Sequence, residues 1–504
     1  MKLVLNGHDE RYVVEQSLMN LFPGELPVYE PVQPGDDAWA VISLKETDRC
    51  RVAVELRCHG AAASHELDCA LSGSDFDREG QRRHAIARCF FLAFEKVAEQ
   101  IPSGGTGSPV VKIPPWGMLT GVRPDKPVTW ALAAGKTPDE ARAMLEQEYF
   151  VTPERAALAL ETGAAALTAQ KKLGPRDIAV YVGIPFCPTR CAYCSFVSQS
   201  VERSFSLVPP YVDALVEEIR SGGKMVREQG LRVRAFYMGG GTPTTLTAEQ
   251  LDRVLTAFEE AFDTAPCEEI TVEAGRPDTI TAEKLAVLRA HGVSRLSVNP
   301  QTMEDHVLRA IGRRHTAGDI DDAMELAAKY GFPHVNMDLI AGLPEDTPEG
   351  FRRSLDRCLA FGTDNVTVHT LALKKGSRIL LEGLAIPGPE AVGEMLDYAA
   401  PALRAAGYGP YYLYRQKYMS GSFENIGWCR PGAACWYNIY IMSELCSILS
   451  FGAGGSTKMV EPGTNHIERV FNLKYPKEYT ERPEKCLANQ AAFAAFYETL
   501  KGAN

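Results

Sequence analysis

The middle of the chain alternates six times between a short apolar run and a helical pattern. The apolar runs lie at 178–182, 235–238, 270–273, 295–298, 335–340 and 366–369, and the helical patterns cover roughly 208–221, 247–263, 281–291, 303–311, 318–331 and 348–361. Strands that alternate with helices predict a parallel sheet with the helices outside it. Six units are fewer than the eight of a closed barrel, so we expect a curved, open (β/α)6 sheet.

Two regions with different patterns flank this core, which we place at 171–380. Residues 1–170 contain strand-like pieces near 3–7, 38–44 and 51–57 and helical patterns near 81–100, 128–148 and 152–172, which predict an N-terminal α+β domain with a helical linker. The stretch 101–109 has the Gly, Pro and Ser content of a flexible linker. Residues 381–504 carry helical patterns near 388–406 and 486–501, so we predict a mainly helical C-terminal domain. The pattern gives no role for 1–170.

Length and composition narrow the class of protein. A chain of 504 residues is too long for one ordinary core, and a hydrophobic fraction of 45% with 23% charged residues is typical of soluble globular proteins. No apolar run is long enough to span a membrane, and acidic residues near the N-terminus argue against a signal peptide, so we expect a cytoplasmic protein. The net charge of −11 argues against nucleic acid as a partner.

The 13 cysteines are odd in number and mostly scattered. Without an export signal, this favours reduced thiols over a disulfide framework. Cys429, Cys435 and Cys446 are too loosely spaced to indicate an auxiliary cluster, and we interpret them as packing or loop thiols.

Three cysteines are the exception. In "YVGIPFCPTRCAYCSF", residues 181–196, Cys187, Cys191 and Cys194 follow the first predicted strand with the spacing C-x3-C-x2-C. Functional groups of parallel β/α folds gather at the carboxyl ends of the strands. Thiolates are the usual ligands of iron–sulfur clusters, and three of them would hold three irons of a [4Fe–4S] cluster and leave the fourth iron free. A zinc site with a remote fourth ligand and three unligated thiols are the alternatives.

The cysteine motif, with the aromatic Tyr193 before its third cysteine, resembles that of the radical S-adenosylmethionine (SAM) superfamily. Together with "GGGTP", "IGRRHT" and "NMDLIAGLP", it resembles the oxygen-independent coproporphyrinogen III dehydrogenases in their HemZ-type branch. The resemblance covers roughly 175–460 and, more weakly, "GMLTGVRP". It implies a partial TIM-like radical SAM barrel whose [4Fe–4S] cluster binds SAM, with one SAM molecule or two.

The resemblance also assigns residues. Cys187, Cys191 and Cys194 would hold the cluster. The expected SAM contacts are Tyr181, Tyr193, Gly240, Gly241, Thr242 and Glu273 for the first molecule and Gln301, Arg313, Asp338 and Ala372 for the second. These residue types suit the task, because glycines allow a close backbone approach, a carboxylate accepts from ribose or ammonium, and arginine binds carboxylates with two donors. No side chain is assigned as a catalytic acid, base or nucleophile.

The activity that the resemblance implies is the oxidative decarboxylation of two propionates of coproporphyrinogen III to vinyl groups, which gives protoporphyrinogen IX in porphyrin and haem biosynthesis. Its partners would be the tetrapyrrole substrate and an external electron donor of the flavodoxin or ferredoxin type, and the C-terminal domain would cover the substrate. A haem-binding chaperone and a radical SAM methyltransferase acting on haem are the alternative functions.

Overall fold

The computed structural model describes residues 1–22, 25–101, 113–195, 199–374, 376–416, 419–464 and 466–502. They form two compact units, Met1–Leu160 with Gly421–Phe423, and Glu161–Ser420 with Glu424–Asn504. The linker predicted at 101–109 lies, apart from its first residue, outside the described residues, and the division into three domains stays a prediction. Within the described ranges, no helix combines the length and apolar character that a membrane crossing requires.

The first unit is the predicted α+β structure. Its strands are β1 (Lys2–Asn6), β2 (Trp39–Glu46), β3 (Arg49–Cys58) and β4 (Ala61–Ala70), and its helices are α1 (Arg11–Leu21), α2 (Asp75–Ala98), α3 (Lys126–Ala133), α4 (Pro138–Ala143), a π-helical turn at Met144–Glu148 and the start of α5 (Pro153–Gln170). β1 pairs parallel with β2, and β2, β3 and β4 pair antiparallel in that order. Alternate strand residues such as Ile42 and Val54 share one hydrophobic core with Phe90 and Phe94 of α2, as a half-buried sheet requires.

The second unit carries a larger set of elements. Its strands are β5 (Asp177–Ile184), β6 (Phe186–Cys187), β7 (Gln199–Ser200), β8 (Arg232–Gly240), β9 (Glu269–Glu273), β10 (Arg295–Ser297), β11 (His334–Ala341), β12 (Asn365–Thr370), β13 (Gly409–Tyr414), β14 (Asn425–Cys429), β15 (Ser447–Phe451), β16 (Ser456–Val460) and β17 (Ile467–Phe471). Its helices are α6 (Val201–Ser204), α7 (Val208–Glu228), α8 (Ala248–Ala261), α9 (Ala282–Ala290), α10 (Asp305–Ala310), α11 (Ala317–Tyr330), α12 (Pro348–Ala360), α13 (Arg378–Glu382), α14 (Pro389–Ala405), α15 (Trp436–Ser443), α16 (Pro476–Glu481) and α17 (Pro483–Gly502).

The six predicted strands form the centre of one sheet. They run parallel in the order β5-β8-β9-β10-β11-β12, and α7 to α12 fall in the intervals where helices were predicted. Thr247 starts α8 with a capping box to Gln250, and the Thr347 hydroxyl accepts from the Gly350 N–H at the start of α12. The structure therefore has the expected partial barrel of six parallel strands.

The C-terminal region contains more β structure than the sequence indicated. β14 pairs antiparallel with β12 and carries β13 outside it, while β15 joins β5 in parallel and leads to β16 and β17, so that the sheet has 11 strands. The prediction of a mainly helical region missed these strands because runs such as β15 are buried at every position. A strand buried on both faces shows no alternation between apolar and polar residues.

A buried carboxylate joins α7 to the C-terminal elements. Glu218 accepts hydrogen bonds from the Gly452 N–H at 2.8 Å, from the Asn472 side chain at 2.7 Å and from the Tyr479 hydroxyl. Burial raises the pKa of Glu218 above its ordinary value, and these donors oppose that rise by stabilising the ionised form. One side chain thus satisfies donors from three separate segments.

We therefore expect Glu218→Ala to lower the free energy of unfolding by about 3 kcal/mol or more, because several buried donors lose their acceptor together. Urea unfolding followed by circular dichroism measures the change. The matched control is Glu217→Ala, whose carboxylate is 73% exposed beside Arg220 and should change stability by less than about 0.5 kcal/mol. Equal losses in the two variants would show that the buried network does not carry this stability.

Candidate active site

The cysteine segment and the glycine segment meet at the carboxyl end of the sheet. The Gly241 N–H donates to the Ile184 carbonyl at 2.7 Å, and the Thr242 N–H donates to the Phe186 carbonyl at 2.8 Å. A Cβ atom at position 241 would lie 2.5 Å from the Phe186 oxygen, and Gly240 has a φ of +108° that disfavours any other residue. The glycines of "GGGTP" are thus needed for the backbone of β8 to lie against the segment that leads to Cys187.

A cavity of about 370 Å³ opens beside this contact. Of the predicted cluster and SAM contacts, it is lined by Cys187, Cys191, Tyr193, Cys194, Gly240, Gly241, Thr242, Glu273, Gln301, Arg313, Asp338 and Ala372. Tyr181 does not line it and instead stacks on Tyr237 and Tyr437, with ring centroids 6.3 and 6.2 Å away. The predicted residues are therefore assembled around one space, while the role of each in binding stays a prediction.

The three thiols suit a cluster. Cys187 and Cys194 are half-buried and Cys191 is buried, and all three border the same cavity. The Thr242 hydroxyl lies 3.6 Å from the Cys187 sulfur, and Arg276 Nη1 lies 3.8 Å from the Cys191 sulfur, so both donors face sulfurs that carry negative charge as ligands. In the described part of the chain, no three His, Cys, Asp or Glu side chains are grouped to hold a single metal ion. A [4Fe–4S] cluster makes a different demand, since each thiolate binds its own iron.

Glu273 ends β9 with its carboxylate in the cavity wall. It accepts a hydrogen bond from the Tyr237 hydroxyl, and the Tyr237 ring stacks on Tyr437 with a centroid distance of 4.5 Å. Burial raises the pKa of Glu273 to about 7, and the nearby charge of Asp338 adds to the rise. Once ionised, this carboxylate can accept from an ammonium or a ribose hydroxyl.

Gln301 follows β10, and Asp338 lies within the neighbouring strand β11. The Gln301 N–H donates to the Asp338 carbonyl at 2.8 Å, and Gln301 has a φ of +70° that a non-glycine residue seldom adopts. The buried Oε1 of Gln301 has no hydrogen-bond partner among the described residues. A buried acceptor without a partner costs free energy, so its position in the cavity wall fits a contact to a bound ligand.

Arg313 joins the fourth strand region to the cysteine loop. Its Nη1 donates to the Asn299 carbonyl at 2.6 Å, and its Nη2 donates to the Tyr193 hydroxyl at 3.1 Å. Arg313 thus orients Tyr193, the aromatic side chain that lies between the second and third cysteines.

Ala372, which also lines the cavity, pairs with Met419 in an isolated antiparallel bridge.

The cavity also contains residues that the sequence did not single out. His369 places Nε2 3.8 Å from Asp338 Oδ2 and Nδ1 3.4 Å from the Tyr414 hydroxyl. Burial alone would raise the pKa of Asp338, but the nearby His369 and the hydrogen bond that the Asn336 side chain donates at 2.8 Å hold it below its ordinary value. His369 ends the sixth predicted strand, so the strand-end rule could have identified it. Tyr414 comes from β13, where the sequence had no usable pattern.

The remaining cysteines of interest lie elsewhere. The Cys435 thiol donates to Glu269 Oε1 at 3.1 Å, and Cys435 and Cys446 belong to one hydrophobic core with Cys429 packed against it. Burial raises the pKa of each of these three thiols. These contacts are those of packing residues.

Comparison with known proteins agrees with this geometry. The profile of the Radical SAM superfamily matches residues 181–358. The "Oxygen-independent coproporphyrinogen-III oxidase-like protein HemZ" of Bacillus subtilis (strain 168) is 39% identical over 492 residues, which cover 96% of each chain. The chain belongs to the radical SAM superfamily. As a member, it uses a [4Fe–4S] cluster and SAM.

Two further proteins are similar over about two thirds of this chain or less. The "Heme chaperone HemW" of Mycobacterium tuberculosis (strain CDC 1551 / Oshkosh) is 30% identical over 310 residues, 60% of this chain and 73% of that protein. The solved structure of the coproporphyrinogen III oxidase HemN from Escherichia coli superimposes with a TM-score of 0.50 and 24% identity, over 66% of this chain and 72% of that one. The HemN structure supports the radical SAM fold.

The ligand assignment predicts that Cys187→Ala abolishes cluster assembly, because two thiolates cannot hold the cluster in place. Iron and sulfide analysis after anoxic reconstitution, together with the visible absorption spectrum, measures the loss. Cys429→Ala removes a half-buried thiol outside the cavity and should keep the iron content of the unsubstituted protein. An unchanged spectrum in Cys187→Ala, or zinc in place of iron, would contradict the assignment.

The raised pKa of Glu273 predicts that the affinity for SAM depends on pH. Because its pKa is about 7, the carboxylate is mostly protonated near pH 6 and mostly ionised near pH 8. The ionised form attracts the cationic amino group and sulfonium of SAM, so affinity should rise up to about tenfold across this interval. Calorimetry under anoxic conditions measures the rise, and Glu273→Gln should flatten it. An affinity that falls as the pH rises would show that the ionised form does not bind SAM.

Proposed function

We propose that the protein oxidatively decarboxylates tetrapyrrole propionates and converts coproporphyrinogen III to protoporphyrinogen IX in anaerobic haem biosynthesis. The observation that carries the proposal is the 39% identity over 96% of both chains to HemZ, whose name describes an oxygen-independent coproporphyrinogen-III oxidase-like protein. The arrangement of thiols, glycine backbone and polar side chains around one cavity supports it.

The chemistry requires a radical and an electron acceptor. When bound and reduced, the [4Fe–4S] cluster supplies the electron that cleaves SAM to a carbon radical. On the substrate, one hydrogen atom leaves the β-carbon of a propionate, carbon dioxide departs, and one electron passes to an acceptor, so that a vinyl group remains. Two such rounds give the product, and each round needs an external electron donor for the cluster.

We assign one wall of the cavity to the binding of SAM and the opposite wall to the binding of the substrate. On the wall formed by the ends of β8 and β9, the Gly240–Gly241 backbone, Thr242 and Glu273 orient the amino end of SAM beside the cysteines. Gln301, Arg313, Asp338 and Ala372 line the same space and are the contacts for a second SAM molecule, if two are bound. The number bound per chain can be counted by equilibrium dialysis.

The opposite wall offers groups for the substrate. His369, Lys374, Tyr414 and Gln416 all line the cavity there and carry hydrogen-bond donors. Donors of this kind suit propionate carboxylates, and we propose that they hold one propionate with its β-carbon toward the cysteines. Buried tyrosines such as Tyr412 restrict water around the reacting carbon.

Anoxic incubation with coproporphyrinogen III, dithionite and SAM tests the proposal. Mass analysis should find 5′-deoxyadenosine together with a tetrapyrrole that has lost two carboxyl groups. The Cys187→Ala protein should form neither product and is the matched control. Deoxyadenosine without loss of carboxyl groups would show that the substrate is a different molecule.

A second candidate function has its own support. The similarity to HemW, named a heme chaperone, covers 60% of this chain. Stoichiometric haem binding without turnover of coproporphyrinogen III would favour a haem-binding chaperone. S-adenosylhomocysteine among the products would instead indicate a radical SAM methyltransferase acting on haem. The same mass analysis separates these outcomes from decarboxylation.

A further inference from the structure

A buried arginine, Arg276, follows β9 and contacts the loop that carries the cysteines. Arg276 lies three residues beyond β9, and its side chain is 3% exposed. Its Nη1 donates to the Thr189 hydroxyl at 3.1 Å and lies 3.8 Å from the Cys191 sulfur. The guanidinium therefore contacts the loop between the first two cysteines at both a side-chain oxygen and a thiol.

The other edge of the guanidinium is held by a carboxylate. Arg276 Nε and Nη2 donate to the two oxygens of Asp278 at 3.1 and 3.2 Å, and His315 Nδ1 lies 3.7 Å from Asp278 Oδ1. Burial alone would raise the pKa of Asp278, but the nearby His315 together with the charge and hydrogen bonds of Arg276 hold it at about 2. Asp278 is therefore ionised at neutral pH, and Arg276 and Asp278 form a fixed pair of opposite charges beside Cys191.

A pair of charges beside a cysteine ligand changes the reduction potential of the cluster that the cysteine holds. A reduced cluster carries one more negative charge, so donors to its sulfurs and nearby positive charge stabilise the reduced state and raise the reduction potential. The Thr242 hydroxyl offers Cys187 a neutral donor at 3.6 Å, whereas Arg276 offers Cys191 a charged one. Charged donors make the stronger hydrogen bonds.

We propose that Arg276 is a positioning residue that raises the reduction potential of the cluster through its hydrogen bond to Cys191, and that Asp278 moderates this effect by compensating its charge. The inference rests on the proposed function, in which Cys187, Cys191 and Cys194 hold the cluster. The potential in turn determines which one-electron donors can reduce the protein.

Substitutions of Arg276 and of Asp278 should shift the reduction potential of the cluster in opposite directions. Arg276→Gln removes the charged donor and leaves the Asp278 carboxylate uncompensated, and both changes make the potential more negative. Asp278→Asn leaves the guanidinium uncompensated and makes the potential less negative. A purely structural clamp on the loop would give no reason for shifts in opposite directions.

Redox titration of the reconstituted protein, followed by electron paramagnetic resonance of the reduced cluster, measures these shifts. At the midpoint potential of the unsubstituted protein, Arg276→Gln should lower the ratio of reduced to oxidised cluster about tenfold, which is a shift of about 59 mV for one electron. Arg276→Lys keeps the charge and should restore part of the shift. Arg190→Gln is the matched control, because Arg190 lies beside Cys191 in the chain but is exposed and donates to the Gly376 carbonyl.

The outcomes separate this inference from the proposed function. Absence of a cluster in the unsubstituted protein would overturn the ligand assignment and this inference with it. An intact cluster with an unchanged potential in Arg276→Gln, or shifts of the same sign in Arg276→Gln and Asp278→Asn, would overturn the inference alone. If Arg276→Gln cannot hold a cluster, the sign of the shift in Asp278→Asn decides, since only a less negative potential supports the proposal.

Discussion

The site depends on two backbone hydrogen bonds between neighbouring strand ends. Gly241 and Thr242 donate to the carbonyls of Ile184 and Phe186, so the glycine segment is fixed one residue at a time against the segment that leads to Cys187. The parallel register of β5 and β8, which pairs Ile184 with Gly240, continues directly into these contacts. The cysteines and the loop predicted to bind SAM are thus positioned by an extension of the sheet itself and not by a separate loop structure.

This continuity explains how much could be predicted. The six parallel strands are short apolar runs whose ends carry the chemical residues, and the carboxyl ends of parallel strands share one edge. Glu273 was expected at this edge because it ends the third predicted strand, whereas Gln301 and Asp338 were expected from the family resemblance, and all three line one cavity. Tyr181 was expected among the SAM contacts but does not line the cavity, and its ring lies beside the stacked pair of Tyr237 and Tyr437, because a sequence pattern does not show which face of a buried strand a side chain occupies.

The opposite wall could not be predicted for a different reason. Tyr412 and Tyr414 reach the cavity on β13, which pairs with β14, which in turn pairs antiparallel with β12. That position is fixed by pairing between residues of β12 and β14 that are about 60 positions apart, and the run "GPYYLY" shows neither a helical nor an alternating pattern. Tyr414 and Gln416, which we assign to substrate contact, were missed by sequence reasoning for this reason, whereas His369 ends a predicted strand and could have been identified.

The two ends of β9 show how a fully hydrogen-bonded buried carboxylate differs from one that we predict to bind SAM. At the amino end, Glu269 accepts from Arg295 at 3.2 Å, from the Cys435 thiol at 3.1 Å and from the N–H groups of Trp436 and Tyr437 at 3.3 Å. At the carboxyl end, Glu273 accepts from Tyr237, and its pKa rises to about 7.

A fully hydrogen-bonded carboxylate has little left to offer a ligand, whereas a poorly compensated one gains from binding a cation. The Oε1 of Gln301, which has no hydrogen-bond partner among the described residues, lines the same cavity as Glu273, so two incompletely satisfied acceptors lie together where a ligand is expected.

The sulfurs of the three cysteines also depend on side chains from outside their own segment. The motif C-x3-C-x2-C specifies three ligands along the chain, but the donors that face them, Thr242 and Arg276, arrive from the ends of β8 and β9. A shared cysteine motif therefore fixes which group is bound, while side chains from other strands determine how readily that group accepts an electron.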